Sequence, residues 1–146
     1  MARDPKELFR LMLEKSAVLG GHSLMGNERD PRSIVEDWIE AWNGKDLDRI
    51  MRHYASSVVF EANTVVRRWN RPDGILRGAD ELREHFRMGL EIAPSLHFEL
   101  EEVFTAPSGY AALYRRDNGN RVLDVVEMDD SCKAVSVKAF YLGHQK

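Results

Sequence analysis

From Ser95 onward the chain reads as four strand-length stretches separated by turns: "SLHFELEEVF", "YAALYRR", "RVLDVVEM" and "AVSVKAFYL", with "PSG", "DNGN" and "DDSC" between them. In the first, Leu96, Phe98 and Leu100 alternate with His97, Glu99 and Glu101, the period of a strand with one buried face. "DNGN" is a strong hairpin signal. Short turns of this kind leave no room for crossover helices, so these stretches must form an antiparallel meander. One apolar face then needs a cover, and the preceding sequence has to supply it.

The cover reads as helical. Asp30-Pro31 is a start signal, and Ile34, Trp38 and Trp42 fall four apart with Val35 and Ile39 beside them, a wide apolar stripe that Asn43-Gly44 ends. Asp46 can cap a second helix carrying Leu47, Ile50, Met51 and Tyr54. The period changes to two in "SSVVFEANTVV", predicting a strand through Val66. "NRPDG" is a turn, and "ADELREHFRMGL" places Leu82, Phe86 and Leu90 on one face of a further helix. The expected order is helix, helix, strand, helix and four hairpin-linked strands, an α+β plan with helices on one face of a curved, mostly antiparallel sheet.

Ahead of this unit, "DPKELFRLMLEKSAVL" predicts an amphipathic helix with Asp4 at its N-cap and Pro5 in its first turn, followed by the Gly-rich "GGHSLMGNERD". The expected organisation is a helical arm and linker over residues 1–30 and one domain over 31–146. The net charge of -3 and pI near 6.0 argue against nucleic-acid binding. No apolar run approaches the length that spans a bilayer, and "MARDPKELFR" has no secretory pattern, so a cytoplasmic location is expected. The single cysteine, Cys132, excludes an internal disulfide framework and a multi-cysteine metal site; it sits in the "DDSCK" turn as an incidental thiol.

In "RVLDVVEM", Val122, Asp124, Val126 and Met128 share one strand face, so a carboxylate stands where a valine is expected. An acid among apolar neighbours is desolvated, which raises its pKa toward the range useful for proton transfer. Other polar residues have plainer readings. Glu61 and Asn63 read as solvated edge residues, His85 as a surface histidine within the polar "LREHFR", and His53 as part of the polar side of its helix. His97, Glu99 and Glu101 lie along one strand, too spread out to converge on a metal. "VVRRWNRPDG", with Arg67, Arg68 and Arg71 around Trp69, could recognise a ligand carboxylate or phosphate, but reads more simply as a solvated loop whose tryptophan folds onto the domain.

The stretches "WIEAWNGKDLDRIMRHYASSVVFEA", "LRGADELREHF", "SLHFELEEVF" and "KAVSVKAFY" resemble, in sequence and order, the nuclear-transport-factor-2-like superfamily, in its SnoaL-like and ketosteroid-isomerase-like branch. The resemblance covers about residues 32 to 142. It implies a cystatin-like, cone-shaped sheet wrapped around helices and enclosing a pocket, and a homodimer. It places Asp124 where ketosteroid-isomerase-like members hold a protonated acid, kept neutral by apolar surroundings so that it can donate to a developing oxyanion. Trp38 falls where those enzymes carry a tyrosine donor, Ala62 where they carry the aspartate base, and Ala139 where related cyclases carry an acid.

On this comparison the catalytic candidate is Asp124, and Trp38, Tyr54, Phe60, Ala62, Phe86, Phe98, Tyr114 and Phe140 are the candidate lining of a site for a small apolar molecule. Trp42 belongs to the same aromatic set. The expected function is a cofactor-independent isomerase, cyclase or lyase acting on an apolar, carbonyl-bearing substrate, with no metal. The alternative is a non-catalytic module of the same fold that binds a hydrophobic ligand or a protein.

Overall fold

The computed structural model describes residues 30–142. But for Asp30, the arm and linker expected over residues 1–30 lie outside the described residues. The elements in chain order are α1 (Pro31–Asn43), α2 (Leu47–Met51), β1 (Tyr54–Glu61), α3 (Asn63–Trp69), β2 (Ile75–Arg77), α4 (Ala79–Ile92), β3 (Phe98–Ala106), β4 (Gly109–Arg116), β5 (Arg121–Met128) and β6 (Ala134–Leu142). The α+β plan and the four terminal strands are as the alternation predicts. The strands form one curled, unclosed sheet of six in the order β2-β1-β6-β5-β4-β3.

Every neighbouring pair is antiparallel except β1 and β6, which run parallel with Tyr54 opposite Ala134 and Phe60 opposite Val137. The last strand therefore returns to the middle of the sheet, beside the first.

α1 begins at Pro31, whose missing N–H is no loss in a first turn, and buries Ile34, Val35, Trp38, Ile39, Ala41 and Trp42. It packs on β3, while α4 packs on β1. Asn43 secures the start of β3: its amide donates to the Phe98 carbonyl at 2.9 Å and accepts from the Phe98 N–H at 2.8 Å. Asp46 caps α2 by accepting from the Arg49 N–H at 3.1 Å, as its position predicts. Trp38, Trp42, Phe86 and Phe98 then meet in one cluster, with ring centroids 4.8 Å apart for Trp42–Phe86 and 5.7 Å for Trp38–Phe98. Burying each of these rings contributes about 2–3 kcal/mol.

The strand predicted through Val66 stops at Glu61, and a short helix follows. Thr64, Val65 and Val66 have strand propensity, but at helical spacing Val65 is buried with Trp69 four residues on, and that packing overrides propensity. Asn70, in the left-handed region at φ 53°, ends α3. Gly74, at φ 68°, completes the turn into β2, where a Cβ would lie 3.0 Å from the Ala62 carbonyl oxygen. The arginine-rich stretch read as a loop is thus mostly helix, with Arg71 pairing bidentately with Glu81 at 2.8 Å on each arm and lying over the Trp69 ring.

Candidate functional site

Period-two geometry fixes the inner face of the sheet. Tyr110, Ala112, Tyr114 and Arg116 of β4 share it with Val122, Asp124 and Val126 of β5 and Val137, Ala139 and Tyr141 of β6. Asp124 is only 6% exposed, and its register partners on the two neighbouring strands are both alanines, Ala112 and Ala139. Small residues on either side leave space over the carboxyl. That space is part of a cavity of about 80 Å³, whose lining includes Trp38, Phe60, Phe86, Phe98, Tyr114 and Asp124. A larger, open groove runs along the charged face of α1 and holds none of these groups.

The Tyr114 hydroxyl donates to Asp124 and lies 3.3 Å from each carboxyl oxygen. No arginine or lysine is paired with Asp124 among the described residues. Burial pushes its pKa up to about 7, and the Tyr114 hydrogen bond only partly opposes this. All four tyrosines of the chain surround it. Burial raises the pKa of Tyr54, Tyr110, Tyr114 and Tyr141, and in each the nearby Asp124 charge adds to the rise. The hydroxyls therefore stay protonated and remain hydrogen-bond donors throughout the ordinary pH range.

His85 is the largest departure from the sequence reading. It is 3% exposed and lines the cavity. The Trp69 Nε1–H donates to His85 Nδ1 at 3.1 Å, so in the neutral ring the proton is on Nε2, which donates to Thr64 Oγ1 at 3.1 Å. Burial, with the neighbouring Arg68 charge, brings the His85 pKa down to about 4. The polar neighbours of His85 in sequence were misleading, because position 85 is three after Leu82 and one turn before Gly89 on the buried stripe of α4.

A match to the family model of the SnoaL-like domain extends over residues 35–135. The chain belongs to this family. Within the nuclear-transport-factor-2-like superfamily, the SnoaL-like chain is similar to a SnoaL-like protein of unknown function from Burkholderia thailandensis: 31% identity, TM-score 0.75, covering 77% of this chain and 94% of that one. It is also similar to a protein of unknown function with a cystatin-like fold from Methylobium petroleophilum, at 17% identity and TM-score 0.61, covering 79% and 77%. A protein from Mycobacterium tuberculosis, solved in complex with estradiol-17β-hemisuccinate, shares 16% identity at TM-score 0.59, covering 75% and 92%. No curated protein matches.

Of the positions that the SnoaL-like resemblance singles out, Trp38 lines the cavity, but its indole N–H is already engaged with the Tyr54 hydroxyl at 2.9 Å. Tyr54 lines a smaller void on the other side of Asp124, with Tyr110. Ala62 is buried at the N-terminus of α3 and faces a separate surface depression, so no side chain enters the cavity from that position. Phe140 is corrected: it is 53% exposed on the outer face, because its register partner is Leu123, whereas Ala139 and Tyr141 face inward.

The cavity lining also contains Thr64, Arg68, His85, Arg116 and Tyr141, which the sequence reading did not bring there. For Tyr141 and Arg116 the signal was available, since each is two residues from a position already assigned inward. For Thr64 and Arg68 it was hidden by the unread helix. His53 follows α2 and is held by Asp37 at 2.8 Å, instead of lying on a free polar face. His97 and Glu99 are exposed, and Glu101 pairs with Arg121 at 2.8 Å and Arg115 at 3.1 Å. No group of three or more potential metal ligands comes together among the described residues. None of the helices described is long and apolar enough to cross a membrane.

Proposed function

We propose that the cavity is a small-molecule site in which Asp124 exchanges a proton with a compact, largely apolar, carbonyl-bearing ligand. The observation that carries this reading is a buried carboxyl at a cavity wall, flanked by two alanines and bonded to a neutral hydroxyl instead of a cation. A carboxyl with a pKa near 7 populates both forms at neutral pH. As the acid it can donate to a carbonyl oxygen; as the carboxylate it can take a proton from the adjacent carbon. Tyr114, held protonated, is the second donor within reach of the same ligand atom. Such chemistry belongs to isomerases, cyclases and lyases and calls for no cofactor. The volume favours a ligand of few carbon atoms, since an estradiol-sized one would require the aromatic lining to part.

The test is deuterium uptake at the carbon next to the carbonyl of small ketones such as 2-pentanone and cyclohexanone, followed by NMR in D2O. The wild type accelerates exchange above buffer, and Asp124→Asn removes the acceleration while remaining folded by circular dichroism. Equal acceleration by that variant would take Asp124 out of the chemistry.

A non-catalytic ligand-binding role is the second reading, and one observation favours it. Both nitrogens of His85 are already engaged, and Ala62 and Ala139 add no acid, leaving Asp124 without a second proton-transfer partner in the cavity lining. Ligand binding without exchange would select it. In either reading a homodimer would form through the outer face of the sheet, where Phe104, Val125, Phe140 and Leu142 are exposed.

A further inference from the structure

Away from Asp124, the cavity wall carries two guanidinium groups, Arg68 from α3 and Arg116 from the end of β4. Neither has a close carboxylate partner among the described residues, although, unlike the exposed Arg67, both face the cavity. Arg49, Arg71, Arg83, Arg87, Arg115 and Arg121 each lie within 3.1 Å of a carboxylate. Arg68 makes no ion pair among the described residues, and its one hydrogen bond is a long contact of 3.5 Å to the His85 carbonyl. Arg116 reaches only its chain neighbour, Asp117, at 3.9 Å, and its Nε is buried with no hydrogen-bond partner.

The two charges also act on each other. Burial and the Arg116 charge both hold the Arg68 pKa down, and Tyr141 stands within electrostatic reach of both arginines and of Asp124. Gly89 makes room for this arrangement: a Cβ there would lie 3.2 Å from Arg68 Nη1. Two like charges, partly desolvated and facing one cavity, are unfavourable unless an anion joins them. A carboxylate matches guanidinium geometry and would neutralise both charges.

We infer that the ligand of this cavity is an oxo acid, its carboxylate held between Arg68 and Arg116 and its carbonyl directed to Asp124 and Tyr114. Asp124 stands opposite Ala112, four residues before Arg116 on the same strand. That separation is roughly 13 Å along the strand, a distance on the scale of a short chain or single ring reaching between an arginine and the carboxyl. The inference rests on the proposal that the cavity is a ligand site, and specifies the class of molecule it takes.

The test compares matched acids and esters: 4-oxopentanoate and 5-oxohexanoate against their methyl esters. Binding is read from the indole N–H signals of the 15N-labelled protein, since Trp38 and Trp42 line the cavity and the Trp42 Nε1 has no partner in the fold. Each acid binds at least about tenfold more tightly than its ester, the advantage of a charge-assisted pair. Arg68→Gln and Arg116→Gln each reduce that ratio to about twofold or less. The acid–ester contrast in the wild type stands even if a variant fails to fold. Equal binding of acid and ester overturns the anion site and leaves the cavity as a ligand site. If the acid keeps its full advantage in both folded variants, the anion site is also overturned. If no acid and no ester shifts an indole signal, the ligand-site reading falls and this inference with it.

Discussion

Asp124 and Ala139 face each other across the β5–β6 ladder, and the alanine's single methyl leaves the carboxyl open to the cavity without giving it a partner. A carboxyl so placed is easier to bury neutral than charged. Its folded pKa, about 7, lies above the ordinary 3.8, so the native state binds the extra proton between these values. Native stability from this group is therefore present at low pH and lost as pH rises from about 4 to 7. Asp124→Asn is expected to match the wild type near pH 4 and to exceed it at pH 8, by an amount on the order of a few kcal/mol. Urea denaturation at the two pH values checks this; a variant less stable than wild type at pH 8 would show that the carboxylate has a stabilising partner.

His85 works in the opposite direction. Its pKa is lowered from 6.5 to about 4, so the unfolded chain takes up a proton in that window and the folded one does not. Its contribution is present above pH 6.5 and lost as pH falls toward 4. In the wild type the two slopes oppose each other between about pH 6.5 and 5, above the range where carboxylates held down by arginines, such as Glu81, begin to contribute. In Asp124→Asn the His85 slope is exposed, and stability drops on acidification from about pH 6.5 to 5; adding His85→Gln flattens the profile over that window. Persistence of the slope in the double variant would assign it to another group.

Gly89 sits inside α4, where glycine is unfavourable by roughly 0.5–1 kcal/mol relative to alanine. The nearest atom to an added methyl is the tip of the flexible Arg68 side chain, which can give way. Gly89→Ala is expected to raise the unfolding midpoint by that gain in helix stability. A fall in the midpoint would mean that Arg68 is fixed in place.

Phe140 and Leu142 expose apolar surface on the outer face of β6, and Phe104 and Val125 continue it on β3 and β5. A dimer through this face predicts that Phe140→Glu shifts the mass in sedimentation from two copies to one without loss of helix or strand signal. An unchanged mass would place any self-association elsewhere.

Legibility in the sequence followed the regularity of each element. β3 to β6 could be read because each buries one face, so alternation in the letters is alternation in space. The same rule identified Asp124 as an intruder on an apolar face, and correctly applied it excludes Phe140, which differs in parity from Ala139 and Tyr141. α3 could not be read, because Thr64, Val65 and Val66 continue the strand pattern and only the packing of Val65 and Trp69 turns them into a helix. That one misread element concealed Arg68 and Thr64, and with them the environment of His85. Pairing of β1 with β6 joins two segments far apart in sequence and leaves no local mark.

This pairing also dictates when the cavity can exist. Its walls come from α1, α3, α4, β1 and β3 to β6, and the strand that supplies Ala139 and Tyr141 is the last of the described strands in the chain yet docks against β1, the first of them. Contacts between such distant segments form slowly, because a large loop must close before they stabilise anything. Until β6 docks, β1 has only β2 beside it, and the cavity lacks the wall that Ala139 and Tyr141 supply. Removal of the last strand would thus leave no partial site, only an open sheet edge and an uncovered apolar face, a species prone to aggregation.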